Sequence, residues 1–321
     1  MAPQSILVGI LAGLASALLF AGIVTQSVSA VGLSLAAPIP ILLASLGWGS
    51  ASGFVAAFAA AGAVSLFTGT SAGGLMILAS TGLSSAVVGH LAGLARPSDD
   101  PTRQSTPPLV GPAPVPLDWY PLDRILLAIT LSAALGCLFL GWLVGFDPAD
   151  AAPMLTEALV AQGAAGLDTN EAQIAMLAET VVALVPFVQP AFLVGTLVAS
   201  LYLAAVIARA SGRLQRPRDD VPAGAGLPRA SLAVFALALA GSFLDGSAGA
   251  IAAVFAGAFA CAFTLVGLAG FHLRTRGRPA RGLLLFLLYA AIVILTFPLI
   301  AFLVYGVFRT ARADEAPTSH P

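Results

Sequence analysis

Apolar runs of about 20 residues, parted by short Gly-, Ser- or Pro-bearing breaks, fill this chain almost from end to end. Continuous apolar runs of that length predict membrane-spanning helices, because a spanning helix must satisfy its backbone internally and show lipid an apolar surface. Four spans are expected before residue 95, at residues 4–24, 31–48, 52–67 and 74–94. A fifth follows at 125–146 and a sixth at 181–208. A helical hairpin covers 230–271 and turns at Asp245-Gly246-Ser247, and a last run at 282–308 contains Pro298. The expected fold class is all-α, a polytopic integral membrane helical bundle of about nine transmembrane helices, or eight if the last run bends at Pro298 and returns. Residues 1–308 form a single membrane domain in this reading, and 309–321 a short polar tail. Val28-Ser29-Ala30 resembles a signal cleavage site, but no basic segment precedes the run, so residues 4–24 are expected to stay as the first helix.

Composition sharpens the picture. Residues 1–95 contain no Lys, Arg, Asp or Glu, and His90 is their one ionisable side chain. The whole chain is 59% hydrophobic and 9% charged, against about 25% charged for an ordinary globular domain. The net charge of -1 offers nothing to nucleic acid. All 14 basic residues are Arg, the bias of a GC-rich bacterial genome.

The placement of those Arg orients the chain. Segment 96–124 holds three, 209–229 five and 272–281 four, whereas 147–180 holds none and carries six acidic residues. By the positive-inside rule the first three are cytoplasmic, the acidic loop is external, and the N-terminus is cytoplasmic in an inner membrane. Segment 96–124 has seven prolines between Pro97 and Pro116 and reads as a Pro-rich loop. Within the acidic loop, 154–161 and 171–177 are weakly amphipathic, as surface helices would be.

Candidate chemistry is sparse. Small residues four apart, Gly9 and Gly13, Ala17 and Ala21, Gly89 and Gly93, Gly141 and Gly145, mark helix faces that let backbones approach closely. Pro38, Pro40, Pro186 and Pro190 lie inside spans, where proline frees backbone carbonyls. Gln189 is the amide flanked by the second pair. Broken helices line binding sites in many transporters, so these five residues are the candidate substrate contacts. The structural alternative makes Gln189 an interhelical bond beside a proline kink. Asp245 reads as a turn residue and His90 as structural. Cys137 and Cys261 have no metal or redox spacing. No catalytic motif, metal set, cofactor site or phosphate-binding loop is present, so a non-enzyme is expected, and any ATPase would be a separate partner.

Two short segments carry a resemblance. Ser211-Gly212-Arg213-Leu214-Gln215-Arg216-Pro217 and Gly267-Leu268-Ala269-Gly270-Phe271-His272, followed by Thr275-Arg276-Gly277 and Arg281, resemble the YybS-like family of predicted bacterial membrane proteins, a domain of unknown function. That family is similar in organisation to the substrate-binding subunits of energy-coupling factor transporters. The resemblance implies a helical membrane fold, small-molecule recognition, and a separate membrane or ATPase partner met by a small-residue face such as Ala17–Ala21. Those subunits have six spans, fewer than expected here, so none of their binding residues is carried over. The expected function is a small-molecule-binding transport component without its own ATPase. The alternative is a non-transporting scaffold acting through its Arg-rich and Pro-rich cytoplasmic segments.

Overall fold

The structure is a computed structural model that describes residues 3–21, 32–98, 116–161, 171–295 and 297–312. Val28-Ser29-Ala30, most of the Pro-rich segment, Asp168 and all but the first residues of the polar tail lie outside the described residues. The chain is almost wholly helical. Six of its described helices are long and apolar enough to cross a membrane: α1 (Pro3–Ala21), α3 (Ser50–Thr68), α4 (Ser71–Ala92), α5 (Leu122–Val144), α7 (Glu171–Ala210) and α10 (Gly246–Arg274). Shorter helices are α2 (Pro38–Trp48), α6 (Pro148–Ala161), α8 (Val221–Gly224), α9 (Ala230–Gly241), α11 (Arg281–Leu295) and α12 (Pro298–Ala311). The helices form two compact units, one from residues 1–128 and 197–226, the other from 129–196 and 227–321.

In the first unit α1 lies along α3, with no side chain between the backbones at two points. A Cβ on Gly9 would stand 2.8 Å from the Ser52 carbonyl oxygen, and one on Gly13 would collide with the Ala56 carbonyl. Ser52 Oγ donates to the Ser5 carbonyl at 2.7 Å, and Ser16 Oγ donates to the Ala37 carbonyl at 2.7 Å. Such interhelical bonds contribute roughly 0.6 kcal/mol each in a membrane protein. Ala17 is buried with Ala60, Val64 and Ile77. The opposite face of α1 carries exposed Leu7, Leu11 and Leu18.

Further along, Ser45 of α2 is wedged between α3 and α4, 2.6 Å from where a Cβ on Gly53 would stand and 2.7 Å from one on Gly89. Two of the short breaks expected from sequence, at 47–50 and 68–74, are turns. Gly49 (φ 94°) separates α2 from α3, and Gly69 (φ 69°) ends α3, both in the positive-φ region that glycine alone adopts readily. Thr70 then caps α4, accepting from the Gly73 amide at 3.4 Å.

The second unit repeats the device. Where α10 crosses α12, a Cβ on Gly267 would strike the Phe302 carbonyl and one on Gly306 the Phe263 carbonyl. Gly257 brings α10 equally close to the Phe187 carbonyl of α7. Phe235 of α9 stacks at 5.3 Å on Phe263.

Four sequence expectations change. Within the span expected at 31–48, a helical turn at 32–34 and a turn at 35–37 precede the helix Pro38–Trp48, so Pro38 and Pro40 fall in the first turn of that helix, where the missing N–H costs nothing. Residues 171–180, expected in the acidic loop, are the first turns of α7, while the short helix expected at 154–161 falls within α6. At 40 residues, α7 is about 60 Å long, twice the roughly 30 Å hydrocarbon core, so it continues well beyond one leaflet. Residues 282–308 form two helices, α11 and α12, bent by 118° at a short break, the geometry of a broken span or of a segment that turns back. With α9 only 12 residues long, the described helices that qualify number six, or seven if the bent pair is one span, rather than nine.

Backbone contact at Gly306 gives a direct test. Gly306→Val should lower the stability of the α10–α12 pair by about 2 kcal/mol, as overpacking does. Gly62→Ala, where nothing lies within 4 Å of the new Cβ, should be neutral or stabilising by up to about 1 kcal/mol. Thermal unfolding in detergent micelles reads both.

Candidate functional site

The polar residues of the first unit gather where α4 ends and α7 ends. After α4 the chain enters a short strand, β1 (Ala95–Pro97), which pairs antiparallel with β2 (Leu117–Trp119). Arg96 stands opposite Asp118 and Ala95 opposite Trp119 in that register. Bonds from the Tyr120 amide to the Leu94 carbonyl (3.0 Å) and from the Ser98 amide to the Pro116 carbonyl (2.8 Å) extend the ladder. Proline content by itself predicts only a loop at this place.

Arg216 locks the segment that follows α7 onto this hairpin. Its guanidinium is buried, with 7% of the residue exposed. Nε donates to Asp219 Oδ2 at 2.7 Å and Nη2 to Oδ1 at 3.1 Å, a two-bond fork. Nη1 donates to the Ala92 carbonyl at 3.1 Å, on the last turn of α4, where the helix dipole leaves partial negative charge. The same guanidinium lies 5.9 Å from the Trp119 ring. Two further Arg hold the segment from α7. Arg209 Nη2 donates to the carbonyls of Arg216 (3.3 Å) and Pro217 (3.1 Å). Arg213 lies 4.4 Å over the Trp48 ring. Asp220 caps the single turn of α8 by accepting from the Ala223 amide at 3.3 Å.

The result is a cleft lined by Arg96, Asp118, Trp119, Tyr120, Asp123, Arg124, Asp219 and Asp220, among others. It offers both signs of charge and two aromatic rings. Arg213 and Arg216, in the first of the two resemblance segments, are therefore the braces of this cleft. Gly267 and Gly270, in the second, open the slot for α12: a Cβ on Gly270 would meet Tyr305 at 2.8 Å and Arg309 at 3.2 Å.

A second concavity lies in the other unit, between α6 and the start of α7, lined mostly by apolar residues such as Ala152, Pro153 and Val160, with exposed Glu157, Glu171 and Glu179 and Thr156 on its walls. Among the described residues no three His, Cys, Asp or Glu side chains are grouped so as to hold a metal ion.

The residues expected from sequence are distributed as follows. Pro38 and Pro40 belong to the first unit; Pro186, Gln189 and Pro190 belong to the second. Neither described concavity is lined by any of them. α7 is continuous through Pro186 and Pro190, both of which are buried, while Gln189 lies on its exposed face. The broken helix expected there is not formed. Gly9, Gly13 and Gly89 sit at close backbone contacts. Gly93 is the exposed C-cap of α4, and Gly141 and Gly145 have no near neighbour beyond Phe146. Ala17, which the resemblance would turn toward a partner, is turned inward onto α3, and Ala21 is half-buried. Sequence reasoning misses Arg216, although Asp219 three residues on is a legible partner. His90 accepts or donates a 2.7 Å bond with Ser50 Oγ across 40 residues of chain, which no local motif signals.

Removing Arg216 strands Asp219 and the Ala92 carbonyl. Arg216→Ala should cost about 2 kcal/mol, in the range for hydrogen bonds to charged groups, since Asp219 is partly exposed, and Arg216→Lys should not restore it, because an ammonium cannot make the fork. Limited proteolysis within 211–226, together with thermal unfolding, measures both.

No family model matches this chain, and no curated protein or solved structure matches it either.

Proposed function

We propose that the chain is a multi-pass protein of a bacterial inner membrane that crosses the bilayer eight times, keeps both ends in the cytoplasm, and works as a non-transporting interaction protein. The single observation behind the docking role is the Arg216 brace. Loops between membrane helices are ordinarily mobile connections. Here one such segment is fastened by a buried guanidinium to a neighbouring helix end, which holds a cleft of fixed shape on the Arg-rich side. A partner that meets a rigid cleft loses less entropy on binding than one that must order a loop.

The eight crossings are the six long helices plus the two shorter apolar ones, the segment Gly32–Trp48 and α9. Support for eight rather than nine comes from the second unit. Arg309 Nη1 donates to the Val266 carbonyl at 3.1 Å, Arg274 lies 5.1 Å from the Tyr305 ring, and Arg229 donates to the Ala311 carbonyl. The end of α12 thus lies against the Arg-bearing ends of α9 and α10. Nine crossings would send Arg309 and Arg312 to the opposite side, against the positive-inside rule. The resemblance to the YybS-like family fits this reading and adds no residue to it.

The small-molecule transport reading keeps one observation of its own. Gln189 presents an amide on the exposed face of α7 amid apolar residues, and such a group needs a hydrogen-bond partner in lipid. A ligand or a separate membrane subunit would supply one.

Two experiments decide. A fluorescent or phosphatase reporter fused after Arg312 should report the cytoplasm; a periplasmic signal would restore nine crossings. Photo-crosslinking residues at Asp118, Tyr120 and Asp220 in intact cells should give discrete protein adducts that vanish in Arg216→Ala. Absence of adducts, with thermal stabilisation by a vitamin, nucleoside or metal that is lost in Gln189→Ala, would establish the transport reading instead.

A further inference from the structure

Ser50 and His90 meet where α3 begins and α4 ends, both half-exposed, with Ser50 Oγ 2.7 Å from His90 Nδ1. They lie outside the lining of the Arg216 cleft, so their chemistry is independent of the docking role proposed for that cleft. In the neutral tautomer that carries its proton on Nε2, His90 presents a lone pair at Nδ1, and the Ser50 hydroxyl donates to it. That is the ground-state contact of a nucleophile with its general base. The ring of Phe54, 6.2 Å from the imidazole and tilted by 54°, holds it from one side. Ser50 opens α3, so it stands among the first-turn amides of a 19-residue helix, where developing negative charge on oxygen is favoured.

We infer that the Ser50–His90 pair is an acyl-transfer centre for neutral carboxylic esters at the membrane edge. The ester class follows from the setting. Residues 1–95 supply no Lys, Arg, Asp or Glu, the nearby guanidinium of Arg213 is laid over the Trp48 ring, and the pair caps two helices long and apolar enough to cross a membrane, so an ester with an apolar acyl chain can reach it from the bilayer.

The steps balance without a metal or redox group. Ser50 Oγ attacks the ester carbonyl carbon as its proton passes to His90 Nδ1, and the carbonyl π pair moves onto oxygen. The tetrahedral adduct collapses, the bond to the alcohol breaks, and the leaving oxygen takes the proton from Nδ1. Water, deprotonated by the same nitrogen, then attacks the acyl-Ser50. The carboxylic acid leaves and the proton returns to Oγ. The net reaction is ester plus water to acid plus alcohol.

The test is a fluorophosphonate with an alkyl chain, applied to the full-length protein in detergent and read by mass-spectrometric peptide mapping. Ser71 is the internal control, since it opens α4 as Ser50 opens α3 but is not bonded to an imidazole. The expected result is an adduct on Ser50 and none on Ser71. Labelling should vanish in Ser50→Ala and slow at least about 100-fold in His90→Gln, the lower bound for loss of a general base. No adduct on Ser50, or labelling undiminished in folded His90→Gln, would overturn the proposal. If His90→Gln does not fold, the wild-type rates decide: Ser50 labelled at least about 100-fold faster than Ser71 supports the centre, and comparable rates overturn it.

Discussion

Close approach of helix backbones is the constraint on which the rest of this molecule depends. Lipid tails are as apolar as Leu, so burying Leu against Leu gains little between membrane helices, and packing must come from short contacts and hydrogen bonds. The chain meets that requirement with Gly and Ser. Gly9 and Gly13 admit α3 to α1, Gly53 and Gly89 admit Ser45 of α2, and Gly267 and Gly306 admit α12 to α10. Large side chains such as Leu11, Leu18, Phe243 and Val293 are left on exposed faces. Large side chains such as Phe259, Phe263, Ile41 and Leu42 are buried as well, but leaving others exposed carries no penalty where the solvent is lipid.

Where the helices end, charge does a different job. Arg216 is taken out of water, which is costly for an isolated ion. Its fork to Asp219 and its bond to the Ala92 carbonyl engage all three guanidinium nitrogens, each in a bond of defined geometry. The bond to Ala92 links residues 124 apart in sequence. Arg309, reaching the Val266 carbonyl through the space that Gly270 leaves open, does the equivalent in the second unit. Both are arginine solutions: a planar fork can satisfy helix-terminal or exposed carbonyls that a point charge would only approach.

Proline illustrates how local rules depend on position. Pro38 and Pro40 and Pro186 and Pro190 look alike in sequence, pairs inside apolar runs. The first pair starts a helix; the second is absorbed in α7 without ending it, both rings buried, four residues apart as a single helix face requires. A residue-level rule that proline breaks helices cannot tell these outcomes apart, because neighbouring elements in a packed interior can hold the backbone helical where an isolated helix would kink.

Sequence alone determined the solvent, and with it most of the helices. Ninety-five residues without Lys, Arg, Asp or Glu leave a spanning helical bundle as the physical outcome, and positive-φ turns at Gly49 and Gly69 fall where the apolar pattern pauses. The continuity of α7 through its acidic start and the bend between α11 and α12 were decided in three dimensions, since hydropathy measures composition and not direction. The same holds for the sites. Periodicity exposes which residues share a helix face, but Arg216 with Ala92 and Ser50 with His90 are pairs from different elements. Their chemistry exists only once helix ends far apart in sequence are brought together by packing that the glycines permit.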